Sequence, residues 1–257
     1  MNKVALITGA SSGIGKEFCF IHAAHGGDLV VVARREDRLK QLKKELEDRY
    51  SIQVMIVAKD LSLRNAASEI YETVKNAGIE VEYLINNAGF GGLGKFYERD
   101  WSQDRSMILV NILALTELTR LFLPDFVRRN SGKILNVSSS AAFLPGPLQA
   151  VYYASKSYVT SFSNALSEEL SDTNITVTAL MPGMADTEFA KVSGIDKIAI
   201  SKSHFSAANV AMAGYRGMLK GKLNVVSALF SQKLMIKFIP FLPKKMLLKA
   251  IHKMQKV

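Results

Sequence analysis

Six short apolar runs, each followed by a longer stretch of helical periodicity, constrain this chain more than any other feature. They are Val4–Ile7, Leu29–Ala33, Val54–Val57, Val81–Ile85, Lys133–Val137 and Ile175–Leu180. Runs without polar alternation suit strands covered on both faces, the condition of a parallel sheet. Stretches such as Arg35–Tyr50, Leu63–Ala77 and Asp104–Arg129 carry the apolar spacing of helices. This β-α-β-α order predicts a doubly wound α/β fold with right-handed crossovers. The length of 257 residues suits one such domain, and no repeat, low-complexity tract or Pro/Gly/Ser linker divides it. The pattern breaks from about Met184 to Lys222, where an irregular, helical insertion near a substrate is expected. Leu223–Val226 is a last strand candidate, and 228–257 forms a basic extension.

The charge is unevenly placed. Residues 1–196 carry a net −2, whereas residues 197–257 contain eleven lysines, Arg216 and no acid, a net +12. A basic tail on a nearly neutral body points to a local anionic surface or partner rather than to nucleic acid, for which no motif is present. A single cysteine, Cys19, excludes an intrachain disulfide, and no Cys/His cluster has metal-ligand spacing. The first apolar run is too short for a signal-peptide core or a spanning helix, so a reduced, cytoplasmic setting is expected. Hydrophobic residues at 48% and charged residues at 22% exclude wholesale disorder.

Strand one leads into Thr8-Gly9-Ala10-Ser11-Ser12-Gly13-Ile14-Gly15, and a helical pattern follows at once. Glycines permit close backbone approach, and the free N–H groups of the next helix favour a pyrophosphate. This makes the fold Rossmann-type, although the spacing G-x-x-x-G-x-G differs from the usual dinucleotide fingerprint. After strand four comes Asn86-Asn87-Ala88-Gly89. Later, Tyr152-Tyr153-Ala154-Ser155-Lys156 opens a helix on which Tyr152 and Lys156 share one face. An ammonium beside a phenol favours tyrosinate and should lower its pKa.

Together these motifs resemble the short-chain dehydrogenase/reductase family from about Val4 to Thr187. The resemblance implies a cofactor-binding set of Gly9, Ser11, Ser12, Gly13, Ile14, Gly15, Asn87, Ala88 and Gly89, with Asp60 and Leu61 against the adenine. Arg34 stands where NAD-preferring members carry an acid; with Arg35 it favours the 2′-phosphate of NADP(H). Pro182, Gly183 and Thr187 resemble the element that contacts the nicotinamide amide. The family pattern selects Tyr152 as the proton donor, with Lys156 tuning it and holding the ribose. It selects Ser139, ahead of Ser138, to position the reacting oxygen, and Asn111 to help hold a relay water. Phe143 replaces a glycine frequent among relatives and is expected to shape the substrate side.

The leading reading is an NADPH-dependent carbonyl reductase for a small-molecule ketone or aldehyde, steroid-like or 3-oxoacyl, assembled as a homodimer or homotetramer. An alcohol dehydrogenase working in oxidation and a non-catalytic dinucleotide sensor are the alternatives. Pro240 and Pro243 split the 228–257 tail into two amphipathic pieces. These are read as packing on the domain or a dimer contact, with anionic lipid or an acyl carrier as the other possibility. The scattered histidines are assigned no catalysis; Trp101 and the methionines are read as core or pocket filler.

Overall fold

The computed structural model describes residues 3–195, 205–227 and 242–255. Among these residues, seven strands form one parallel sheet: β1 (Val4–Thr8), β2 (Asp28–Ala33), β3 (Val54–Ala58), β4 (Val81–Asn86), β5 (Gly132–Val137), β6 (Ile175–Pro182) and β9 (Asn224–Ser227). Their spatial order is β3-β2-β1-β4-β5-β6-β9. The chain winds outward through β2 and β3, then crosses over β1 to β4. A crevice therefore opens at the strand C-termini between β1 and β4, the switch point where such sheets bind ligands.

Both faces of the sheet are covered, which explains the unbroken apolar strands. On one face, Ile7, Val31, Ile85 and Leu180 pack with Phe18 of α1 (Gly13–Ala24), Leu42 of α2 (Glu36–Tyr50) and Met218 of a late helix. On the other, Leu6, Val30, Leu84 and Ile134 meet α3 (Ala66–Asn76), α5 (Leu115–Arg129) and α6 (Ala150–Glu169). Helix α4 (Trp101–Ile108) runs into α5 through a π-helical segment, Leu109–Ala114. The continuous Trp101–Arg129 helix is long and apolar enough by composition to cross a membrane. It lies against the sheet, burying Leu118, Phe122 and Phe126.

Two expectations are corrected here. Within the irregular, helical insertion expected over 184–222, the described residues from 207 to 219 form a regular helix of the sheet layer. A short parallel pair, β7 (Ala185–Asp186) with β8 (Phe205–Ser206), and α7 (Phe189–Ser193) precede α8 (Ala207–Leu219), a regular helix that covers the sheet beside α1. Its Val210, Ala211, Gly214, Tyr215 and Met218 recur at helical spacing and are buried. The Tyr215 hydroxyl meets His22 Nδ1 at 2.8 Å, and a side chain at Gly214 would come within 2.6 Å of Leu180. Trp101 is no filler either: it opens α4 just after the Asp100 cap, and more than half of it is exposed.

The first piece of the basic tail, 228–241, lies outside the described residues. The second forms α9 (Lys244–Gln255), with Ile251 and Gln255 buried against the domain.

Candidate active site

A cleft of about 700 Å³ follows the strand C-termini. It begins at the glycine turn, which holds its shape by close approach. Gly9 has φ +68°, and a Cβ there would lie 2.8 Å from the Asn87 amide. Asn87 Nδ2 donates to Thr8 O at 2.9 Å, and Thr8 Oγ1 accepts from the Asn87 and Ala88 N–H groups. The end of β4 is thereby tied to the end of β1. Ser12 caps α1 in an extended conformation without a side-chain bond to the helix, so the first-turn amides have no side-chain cap. Free N–H groups and the positive end of the helix dipole suit a pyrophosphate, so this cradle fits a dinucleotide.

The arginines after β2 divide their roles. Arg34 is exposed and leans towards Asp60, with Nη1 to Oδ2 at 3.7 Å. Arg35 instead turns onto the glycine loop, where Nη2 donates to Ser11 Oγ at 3.1 Å and Ser12 Oγ at 3.0 Å. Its other terminal nitrogen meets Glu188 at 2.9 Å, and Arg38 meets the second Glu188 oxygen at 2.6 Å. Hydrogen bonds from Arg38 and then Arg35 hold the Glu188 carboxyl down to about 2. Asp60 also accepts from Ser62 N and Oγ, and its pKa is lowered even though its partial burial acts in the opposite sense.

At the other end, Tyr152 and Lys156 are buried together on α6. Lys156 Nζ lies 5.9 Å from the Tyr152 ring centre and donates to Val137 O at 2.9 Å. The Ser139 hydroxyl lies close enough to the Tyr152 phenol to lower its pKa. Ser138 points elsewhere: its hydroxyl donates to Lys156 O and meets Thr160, so Ser139 is the serine that faces the site. Tyr153 is likewise excluded, since its hydroxyl accepts from Gln255 Nε2 at 2.7 Å.

Burial decides the titration, against expectation. It pushes the Tyr152 phenol up to about 12, opposed by the Ser139 hydroxyl, and depresses the Lys156 amine to about 8. Loss of water around both groups outweighs the effect expected of a neighbouring ammonium. A phenol at about 12 stays protonated at neutral pH, the form needed to give a proton away.

Asn111 sits in the π-helical segment, and such widened turns frequently mark functional positions. Its amide donates to Phe90 O and Ser155 Oγ and accepts from Phe90 N, clamping the loop after β4 beside α6. A Cβ on Gly89 would lie 3.0 Å from Asn111 Oδ1 and 3.3 Å from Lys156 Nζ. Gly89 therefore keeps Asn111 and Lys156 within reach of one another.

Leu61, Pro182, Gly183 and Thr187 all line the cleft, as do Ile14 and Ser11. Gly13, at φ +54°, leaves room for Thr187, whose Cγ2 would lie 3.1 Å from a Cβ there. Phe143 is not on the cleft wall; its neighbour Leu144 is, because the chain between Ser140 and Phe143 coils into a 3₁₀ turn.

The chain matches the short chain dehydrogenase family model over residues 3–197. It belongs to that family. This short-chain dehydrogenase is 34% identical over 194 residues to human very-long-chain 3-oxoacyl-CoA reductase, a match covering 73% of the chain and 61% of that relative. It is 36% identical to the NADP-dependent 3-hydroxy acid dehydrogenase of Schizosaccharomyces pombe, with 74% of each covered. Its structure superposes on a short-chain dehydrogenase from Sphingobium yanoikuyae in complex with NADPH with a TM-score of 0.83 at 30% identity, covering 91% and 95% of the two chains.

Sequence reasoning missed four residues in this short-chain dehydrogenase: Glu188, Arg38, Gln255 and Met254. Arg38 and Glu188 meet across 150 residues of sequence, a pairing that no local pattern reveals. Gln255 and Met254 reach the cleft because α9 folds back over it; helical spacing of Ile251 with Gln255 was the available signal. Tyr153→Phe removes the acceptor that holds α9. Amide exchange across residues 250–255 should then speed up about fivefold, the equivalent of a lost hydrogen bond of ~1 kcal/mol. Unchanged exchange would show that apolar packing alone docks the helix.

Proposed function

We propose that the protein is an NADPH-dependent carbonyl reductase acting on a lipophilic ketone. The observation that carries this reading is the buried Tyr152, set between Ser139 and Lys156 in the same cleft as the glycine turn. When bound, NADPH supplies the hydride. Tyr152 donates the proton to the carbonyl oxygen, and the Ser139 hydroxyl holds that oxygen in place. Lys156 stands next to Tyr152 to ease proton departure. Asn111 Oδ1, across Gly89 from Lys156, retains a lone pair for a relay water. Arg35, with the Ser11 and Ser12 hydroxyls, supports recognition of the 2′-phosphate.

The substrate end of the cleft is lined by Phe90, Leu144, Met184, Phe189, Ile251 and Met254, which favours an apolar ligand. Helix α9, part of that wall, carries Lys244, Lys245, Lys249 and Lys253 with no carboxylate. That charge supports a ligand whose solvent-facing end is anionic, such as a 3-oxoacyl thioester on a phosphorylated carrier, in keeping with the names of the relatives. A cytoplasmic homodimer or homotetramer completes the reading.

The test is nicotinamide oxidation with NADPH and NADH against 3-oxoacyl thioesters, steroid ketones and simple alkyl ketones. The reading expects NADPH-dependent turnover, fastest with 3-oxoacyl thioesters and slowed by salt. Salt-independent turnover of steroid ketones would remove the carrier and keep the reductase. Tight NADPH binding with no turnover would replace the reductase by a sensor.

A further inference from the structure

The carboxylate of Glu188 lies where a second anion is expected. It lies between β7 and α7, yet its two oxygens are held by Arg35 at 2.9 Å and Arg38 at 2.6 Å, both from the start of α2. Arg35 simultaneously donates to the Ser11 and Ser12 hydroxyls of the glycine turn. Two guanidinium groups and two hydroxyls make a donor set suited to a phosphate dianion. Glu188 fills its guanidinium half.

We propose that Glu188 is an internal stand-in for the cofactor's 2′-phosphate, which must displace it from Arg35 and Arg38 to bind. This rests on the reading of Arg35 as the 2′-phosphate partner. Glu188, Arg35 and Arg38 are all well exposed, and exposed ion pairs are weak, so a dianion with more acceptor oxygens wins the exchange. NADH, which offers a hydroxyl there, leaves the pairs in place. Glu188 thus lowers the affinity for NADP(H) and leaves that for NAD(H) nearly untouched.

The displaced carboxylate belongs to a segment that touches the catalytic tyrosine. Thr187 Oγ1 accepts from Phe189 N, and the Phe189 ring lies 5.4 Å from that of Tyr152. Ser193 Oγ, at the end of α7, accepts from Gly91 N at 3.1 Å. Releasing Glu188 removes one of the ties on this segment. The phosphorylated cofactor therefore loosens the substrate wall as it binds, and the unphosphorylated one does not.

Calorimetric titration of wild type, Glu188→Gln and Arg35→Ala with NADPH, NADH and 2′,5′-ADP tests this without any turnover. Glu188→Gln should bind NADPH and 2′,5′-ADP about fivefold more tightly, the scale set by exposed ion pairs, and NADH within about twofold. In wild type, 2′,5′-ADP should speed amide exchange across residues 187–195, and 5′-AMP should not. Arg35→Ala should weaken NADPH at least about tenfold and leave NADH nearly unchanged. If Arg35→Ala behaves so while Glu188→Gln binds NADPH no more tightly than wild type, the stand-in role is overturned and the cofactor reading survives. If Arg35→Ala weakens both cofactors equally, the phosphate assignment itself fails and the proposal with it.

Discussion

Tyr152→Phe should lower kcat for carbonyl reduction by about a thousandfold, within the range that a positioned proton donor contributes. The loss is large because the neighbouring phenol cannot stand in: the Tyr153 hydroxyl is tied to Gln255. Phenylalanine retains the ring that packs against Phe189, so the melting temperature should stay within a few degrees. Retention of more than about a tenth of wild-type kcat would mean that another group donates the proton. The pH dependence follows from Lys156, which burial depresses to about 8. Below that pH it is an ammonium and assists Tyr152; reduction should therefore fall as pH rises through about 8. The stability effect runs the other way. The folded state binds the Lys156 proton less tightly than the unfolded chain, whose value is 10.5, so folding stability from this group rises between about pH 8 and 10.5. Melting curves of wild type against Lys156→Met across that window measure it; a parallel decline in both proteins would remove Lys156 as the cause.

Gly15→Ala should weaken NADPH binding by at least about a hundredfold, through loss of the turn geometry on which phosphate binding at a helix N-terminus depends. A Cβ at Gly15 would lie 2.2 Å from Gly9 O and 2.5 Å from Asn87 Nδ2. Neither atom has freedom to yield. Gly9 is held at φ +68°, where a side chain of its own would strike Asn87, and Asn87 is bonded to Thr8. The added methyl must therefore push α1 away from β1 and open the cradle. Gly26→Ala is the matched control: at φ +73° it meets open space, so it should cost about 1 kcal/mol of stability and leave NADPH binding intact. Circular dichroism first establishes that both variants fold, and calorimetry then gives the affinities. A Gly15→Ala protein that binds NADPH within about tenfold of wild type would show that the turn tolerates movement.

Much of the fold was legible in the chain because its determinants are local. Strands covered on both faces are dominated by apolar residues, and each of the seven main-sheet strands appears as an apolar run within two residues of its observed ends. The glycine turn was legible for the same reason, since its close approaches demand glycines at fixed spacing. The i, i+4 relation of Tyr152 and Lys156 is likewise a property of one helix. Choosing Ser139 over Ser138 and Tyr152 over Tyr153 needed family resemblance, and the structure gives the physical grounds: Ser138 is taken by Lys156 O, and Tyr153 by Gln255.

The layered α/β architecture, the glycine turn after β1 and the shared helix face of Tyr152 and Lys156 could all be read from the chain, because each rests on residues adjacent in sequence or one helical turn apart. Only the tertiary structure decided what surrounds them. Whether Lys156 lowers the Tyr152 pKa or burial raises it depends on how much water the packed domain removes. Whether Arg34 or Arg35 faces the turn depends on Ser11, Ser12 and a glutamate 153 residues further on. That α8 covers the sheet and that α9 walls the cleft depend on which apolar faces remain uncovered once the rest has folded. Interactions of that kind join segments far apart in sequence, and no short stretch of the chain contains both partners.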